Sequence, residues 1–177
     1  SSEYTVMADR IEAGTFCVAA TLAKGNLKIL NFDAKIIKTE LELLKKFGAE
    51  IKVHKEKIFI KGPEKIRSIQ NIKTKEFPGI PTDLQAQLMV LMCRSIGNSS
   101  ITENIFENRF MHVAELQRLG AKISIKNNKA FIEGNTKFIG AELMSSDLRA
   151  SVALVLAALV ANGKSIVGRV YHLERGY

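Results

Sequence analysis

Polar and apolar positions in this chain follow two alternating periods, and the alternation repeats. Three alanine-rich apolar runs each open on an aspartate phrase: Asp9-Arg-Ile-Glu-Ala, Asp83-Leu-Gln-Ala-Gln and Asp147-Leu-Arg-Ala-Ser. Each run closes on a glycine: Gly25, Gly97 and Gly163. The runs are long enough for helices and apolar nearly all round, as in Ala150–Ala161, so the helices they predict are buried on several sides. Two further segments, Lys38–Phe47 and Phe110–Leu119, are amphipathic at helical spacing and belong nearer solvent. After each comes Phe47-Gly-Ala or Leu119-Gly-Ala and a pair of period-two segments: Ile51–Val53 with Ile58–Ile60, and Ile123–Ile125 with Ala130–Ile132. Gly48 and Gly120 lie 72 residues apart, and Asp9 and Asp83 lie 74 apart. The repeating unit is one supersecondary block.

The pattern predicts a short strand at Tyr4–Met7, helices at Asp9–Ala23, Asp83–Ile96 and Leu148–Ala161, and strands at Leu27–Phe32 and Ser165–Val170. The units run over about residues 4–62, 77–134 and 141–177 of a single domain. The third copy carries no second helix or strand pair before Tyr177, so the domain reads as partial. Three buried helices in the middle with sheets outside them imply an α/β fold in pseudo-threefold arrangement.

With 46% apolar and 25% charged residues, the composition excludes a disordered chain. The longest apolar run is 12 residues, short of the roughly 20 that cross a bilayer. No membrane partner is expected, and a cytoplasmic location is the default. Cys17 and Cys93 sit in apolar helical runs and read as buried thiols. The net charge of +8 comes largely from lysines interleaved with glutamates between Lys45 and Lys75. A basic polyanion- or RNA-binding domain is the alternative that this charge allows, and a non-catalytic remnant is another. Dispersed lysines, however, more often form a solvated face, and no nucleic-acid partner is expected.

Candidate chemistry begins with the three aspartates. Each stands where a carboxylate caps a helix, so a structural role explains all three, and the residues alone do not raise Asp83 above its siblings. What sets Asp83 apart is its approach through Pro78, Gly79 and Pro81. Three arginines come next. Arg109 follows Phe106-Glu-Asn, Arg175 follows His172-Leu-Glu, and Arg149 lies in the first turn of the third buried helix. Forks gathered at helix ends suit carboxylate or phosphate recognition. Pairing with Glu103, Glu107, Asp147 or Glu174 would explain each one singly. His54, His112 and His172 match no metal spacing, and no metal or cofactor is expected.

Four segments carry a resemblance. Phe77-Pro-Gly-Ile-Pro-Thr-Asp-Leu-Gln-Ala-Gln87, Ile101–Val113, Ser146–Ser151 and His172-Leu-Glu-Arg-Gly-Tyr177 resemble the UDP-N-acetylglucosamine enolpyruvyl transferases, bacterial enzymes that commit the sugar nucleotide to peptidoglycan. Transferases that make enolpyruvylshikimate phosphate share the fold, with motifs that fit less well. The resemblance covers nearly the whole chain. It implies one of two similar domains, an inside-out α/β barrel of βαβαββ units, with the active site in the cleft between the domains. The partners implied are UDP-N-acetylglucosamine, phosphoenolpyruvate and the second domain of the same enzyme. Asp83 matches the general base at the sugar 3-hydroxyl, and Ile105 a position touching the sugar nucleotide. Arg109 and Arg149 match arginines around the phosphoenolpyruvate carboxylate, Arg175 one at its phosphate, and Asp147 an acid implicated in proton handling. Glu174 departs from the aspartate commoner at that position. Cys17 and Cys93 do not match the family's loop cysteine. The chain alone is expected to be inactive or nearly so, and its uncovered surfaces to favour self-association.

Overall fold

The computed structural model describes residues 2–176, and of Arg175 the backbone alone. The first buried helix, α1 (Arg10–Leu22), leads to strand β1 (Asn26–Leu30), the amphipathic helix α2 (Lys38–Phe47), and the hairpin strands β2 (Glu50–His54) and β3 (Lys57–Lys61). The chain continues through β4 (Ile72–Lys73), α3 (Gln85–Arg94), β5 (Ser99–Thr102), α4 (Val113–Arg118), β6 (Lys122–Lys126) and β7 (Lys129–Glu133). The last elements are β8 (Glu142–Met144), α5 (Leu148–Leu159), β9 (Ile166–Gly168) and a 3₁₀ segment over Val170–Arg175.

The expected strand pairs form. Ile51 faces Ile60 and Val53 faces Ile58 across β2 and β3, while Ile123 faces Ile132 and Ile125 faces Ala130 across β6 and β7. Period-two burial fixes this register, because a slip of one residue would turn Ile58 and Ile60 out to water. Ahead of each pair a helix stops at Gly48 (φ 112°) or Gly120 (φ 99°), left-handed positions where a side chain would be strained. The resulting sheets are ordered β1-β3-β2 and β4-β5-β7-β6, with β8 and β9 as a separate parallel pair.

Helix α3 packs against both α1 and α5, and against β5 and β7. Every residue from Gln85 to Cys93 is buried, which is what an apolar run without a wet side requires. Gln87 Nε2 donates to Thr15 Oγ1 at 3.1 Å, tying α3 to α1 inside the core. On the outer faces of the sheets Phe59 and Phe131 reach solvent beneath the ammonium groups of Lys28 and Lys129.

Four expectations need correction. Tyr4–Met7 is not a strand: Tyr4 and Val6 are exposed, and no neighbouring strand takes up their backbone. The helix expected at Phe110–Leu119 spans only Val113–Arg118, because Asn108 takes a left-handed conformation and residues 107–112 run as turns. The strand expected to Val170 stops at Gly168, where Arg169 (φ 58°) turns the chain into the 3₁₀ segment. Helix α5 is not covered all round, since Val155 and Leu159 stand exposed on it. Strands β4 and β8 are too short to show a period in the sequence. Each pairs in parallel with the strand that follows its buried helix. No helix among the described residues is long and apolar enough to cross a membrane.

Candidate functional site

The three aspartates that look alike in the sequence part company in the structure. Asp9 caps α1, its Oδ1 accepting the N–H groups of Ile11 (2.7 Å) and Glu12 (3.2 Å). Asp147 caps α5 in the same way, accepting from Arg149 (2.9 Å) and Ala150 (3.0 Å). Asp83 caps nothing. It lies within a 3₁₀ turn, Thr82–Leu84, that precedes α3, and neither the turn nor the helix has a side-chain cap.

Its carboxylate turns instead to two arginines. Arg109 Nη2 donates to Asp83 Oδ1 at 3.2 Å. Arg149 Nε donates to the same oxygen at 2.7 Å, with its Nη2 also 2.7 Å away. Arg109 reaches the site from the turns ahead of α4, with its guanidinium over the Phe106 ring. Arg149 comes from the first turn of α5, placed there by the Asp147 cap. All three side chains are partly exposed, so the cluster is open to a ligand. Among the described residues both arginines pair with Asp83, and neither forms a salt bridge with Glu103, Glu107 or Asp147.

Beside this cluster is a small cavity of about 140 Å³, lined by Thr82, Gln85, Arg109, His112, Asp147 and Arg149 among others. Gln85 Nε2, Arg109 Nε and His112 Nε2 are buried there with no hydrogen-bond partner among the described residues. Native interiors rarely leave such groups unpaired, and three around one cavity suit a polar occupant. Burial pushes the His112 imidazole down to about 4; the Asp147 charge opposes this and Arg109 adds to it. The ring is therefore neutral near pH 7. Burial acts upward on Asp147, but the Ala150 N–H, the Ser146 hydroxyl and the Arg149 N–H outweigh it and hold the carboxyl below its usual range.

The other expected residues are placed less tightly. Ile105 is half-buried on the segment that leads to Arg109. Arg175 ends the last 3₁₀ segment, and the role attached to its side chain lies outside the described residues. Cys17 and Cys93 are buried and far from reactive: burial, with Glu40 adding at Cys17, raises both thiols to about 12. Among the described residues no cluster of three His, Cys, Asp or Glu could hold a metal ion. Some of the lysines pair with exposed acids, as in Lys24–Glu64, Lys61–Glu50 and Lys122–Glu133, which fits a solvated face.

Three members of the site were not foreseen. His112 reads in sequence as a helix residue beside Glu115, and Thr82 as loop. Gln85 had a visible signal, since a glutamine inside a wholly buried helix must find a polar neighbour. A larger concave region lies elsewhere, about 590 Å³ over the outer face of the β5-β7-β6 sheet. It is an open depression with no unpaired buried group in its lining, so charge and unsatisfied polarity mark the site better than volume.

The EPSP synthase (3-phosphoshikimate 1-carboxyvinyltransferase) family profile matches residues 1–177. The UDP-N-acetylglucosamine 1-carboxyvinyltransferase of Pelagibacter ubique (strain HTCC1062) is 62% identical over 175 residues, 99% of this chain and 42% of the relative. That of Desulfosudis oleivorans (strain DSM 6200 / JCM 39069 / Hxd3) is 51% identical over 98% of this chain and 41% of its own length. The chain thus spans about two fifths of the relatives it matches. Among solved structures, the enolpyruvyl transferase NikO from Streptomyces tendae superposes with a TM-score of 0.89 at 28% identity, over 98% of this chain and 41% of that one. An EPSP synthase from Acinetobacter baumannii shares the fold, with a TM-score of 0.72 at 16% identity over 94% of this chain and 40% of that one. A mixed α/β fold shared with these transferases and a profile matched from end to end lead to one conclusion: this chain belongs to the EPSP synthase family.

Proposed function

We propose that this chain is one domain of a UDP-N-acetylglucosamine 1-carboxyvinyltransferase and supplies the base and arginines of an active site shared with a second domain. The observation that carries the reading is the divergence of Asp83: alone among three equivalent aspartates it is released from capping and set between two arginines. Relatives of that name, 62% and 51% identical along nearly the whole chain, support the choice of substrates. We take the chain as a partial domain of three units, about 4–62, 77–134 and 141–177, in an inside-out barrel with helices within and sheets without.

In this reading Asp83 accepts the proton of the sugar 3-hydroxyl. The freed oxygen attacks C2 of phosphoenolpyruvate while C3 gains a proton, giving a tetrahedral adduct. The adduct then loses inorganic phosphate and a C3 proton, leaving an enolpyruvyl ether on the sugar. Arg109 and Arg149 bind the carboxylate of phosphoenolpyruvate, a reading supported by the unpaired polar nitrogens around the small cavity beside them. Arg175 takes the phosphate, and Ile105 packs on the sugar nucleotide. Asp147 fixes the Arg149 end of α5. The proton handling that the resemblance attaches to Asp147 requires its carboxyl to rise from its lowered position, as exclusion of water by the second domain would make it do. Closure of that domain also strengthens every charge interaction in the cleft.

Phosphate release from phosphoenolpyruvate plus UDP-N-acetylglucosamine tests the reading. The chain alone should release none, and release should appear when the remaining part of the enzyme is supplied. In the complete enzyme Asp83→Asn should lower turnover by a factor of about 10²–10⁴, the usual contribution of a positioned base. Full turnover by that variant would remove Asp83 from the mechanism.

A further inference from the structure

Glu103 is a buried acid, 3% exposed, that plays no part in the mechanism above. Among the described residues it has no lysine or arginine in salt-bridge contact. Four hydrogen-bond donors surround it instead. Its Oε1 accepts from Thr74 Oγ1 (2.8 Å), the Ile105 N–H (2.8 Å) and the Phe106 N–H (3.2 Å). Its Oε2 accepts from Thr82 Oγ1 at 2.9 Å. The residue is itself anchored: its N–H donates to the Asn128 carbonyl at 2.8 Å, and its own carbonyl accepts from Asn128 Nδ2 at 3.0 Å.

The identity of those donors is informative. Thr74 and Thr82 bracket the loop of residues 75–81, and Thr82 adjoins Asp83. Ile105 and Phe106 open the run of turns that delivers Arg109. One carboxylate thus pins the segment carrying Asp83 and the segment carrying Arg109 to the same point. The Asp83–Arg109 contact, at 3.2 Å between side chains that are partly exposed, is too weak to hold two loops in register by itself.

We propose that Glu103 is a positioning residue that sets the distance between Asp83 and Arg109, acting on Asp83 through the Thr82 hydroxyl. This rests on the reading of Asp83 as the base. A misplacement of about 1 Å at a reacting group can cost a factor of about 10² in rate, so a rivet outside the reacting atoms leaves a kinetic signature.

The test uses the full-length protein that contains this chain, with turnover, KM for both substrates and the midpoint of urea unfolding measured for each variant. Thr82→Val removes one hydroxyl at nearly constant shape and should lower kcat about tenfold, one lost hydrogen bond, while moving neither KM by more than about threefold. Glu103→Ala should lower kcat about 100-fold. Glu103→Gln should restore it to within about fivefold, because the amide oxygen keeps the three donors on Oε1 and the amide nitrogen can donate to Thr82. Combining Thr82→Val with Glu103→Ala should be no slower than Glu103→Ala alone, since Glu103→Ala already removes the bond to Thr82. If Thr82→Val keeps wild-type kcat, or if the two effects multiply, the positioning role is wrong. Where Glu103→Ala does not fold, Thr82→Val decides. Asp83→Asn in the same assay separates the two claims: if it retains turnover the base assignment fails, and if it is inactive while Thr82→Val is unaffected only the positioning role fails.

Discussion

His112 has a charge state imposed by the fold. Its imidazole is buried and its pKa depressed from 6.5 to about 4, so the unfolded chain binds a proton in that interval and the folded chain does not. Stability from this group is complete above pH 6.5 and lost as pH falls towards 4, by up to roughly 3 kcal/mol. Asp147, held below its usual range, has the same sign but acts lower, from about 3.8 downward. Urea unfolding of the chain at pH 7.5 and pH 5.0 separates them: the wild type should weaken at pH 5.0, and His112→Gln should show a flatter dependence over that interval. Equal slopes in the two proteins would mean that His112 is not the titrating group. Little of this was legible in the sequence. Spacing places His112 on a helix, whereas it lies buried in the turns ahead of α4. Asp83 was legible as a helix-start residue and through its proline-rich approach. Its release from capping was not, because that depends on Arg149, 66 residues away.

The loop that brings in Asp83 is held from α1 and α2 as well as by its own neighbours. Arg10, from α1, pairs with Glu40 of α2, lies over the Phe77 ring at 4.9 Å and donates to the Gly79 carbonyl at 3.3 Å. Thr39 donates to the Pro78 carbonyl. Glu40 is 4% exposed, so removing its partner strands a buried charge. Arg10→Ala should therefore cost about 3–5 kcal/mol, and hydrogen exchange should quicken over residues 77–81. Replacing Arg10 and Glu40 together by leucine and methionine should recover most of the stability without restoring the slow exchange. A stable Arg10→Ala with unchanged exchange would show that the clamp is idle. Elements of this kind divide by how local their cause is. The hairpins β2–β3 and β6–β7 were legible, since alternation, a helix-stopping glycine and a turn are all read within about a dozen residues. Strands β4 and β8 owe their existence to a parallel partner across a buried helix, and Tyr4–Met7, which has the alternation, lacks that partner.

The molecule as a whole leaves apolar surface open. Phe16 on α1 and Val155 and Leu159 on α5 are exposed, and among the described residues β1 pairs with β3 alone. Exposed helix faces and strand edges favour association. Sedimentation of the 177-residue chain at rising concentration should show self-association, and Leu159→Glu should reduce it. A monodisperse monomer across the range would mean that these faces are tolerated. Repetition made the architecture legible at this level, and it also shaped the chemistry. Three aspartates open three buried segments, and two of them cap a helix. Asp83 makes no cap, a difference of about 1 kcal/mol, and α3 is held by the core around it. Repetition supplies redundancy of this sort: a position committed to structure in one segment is free for another task in a second, because the surrounding core keeps the helix standing.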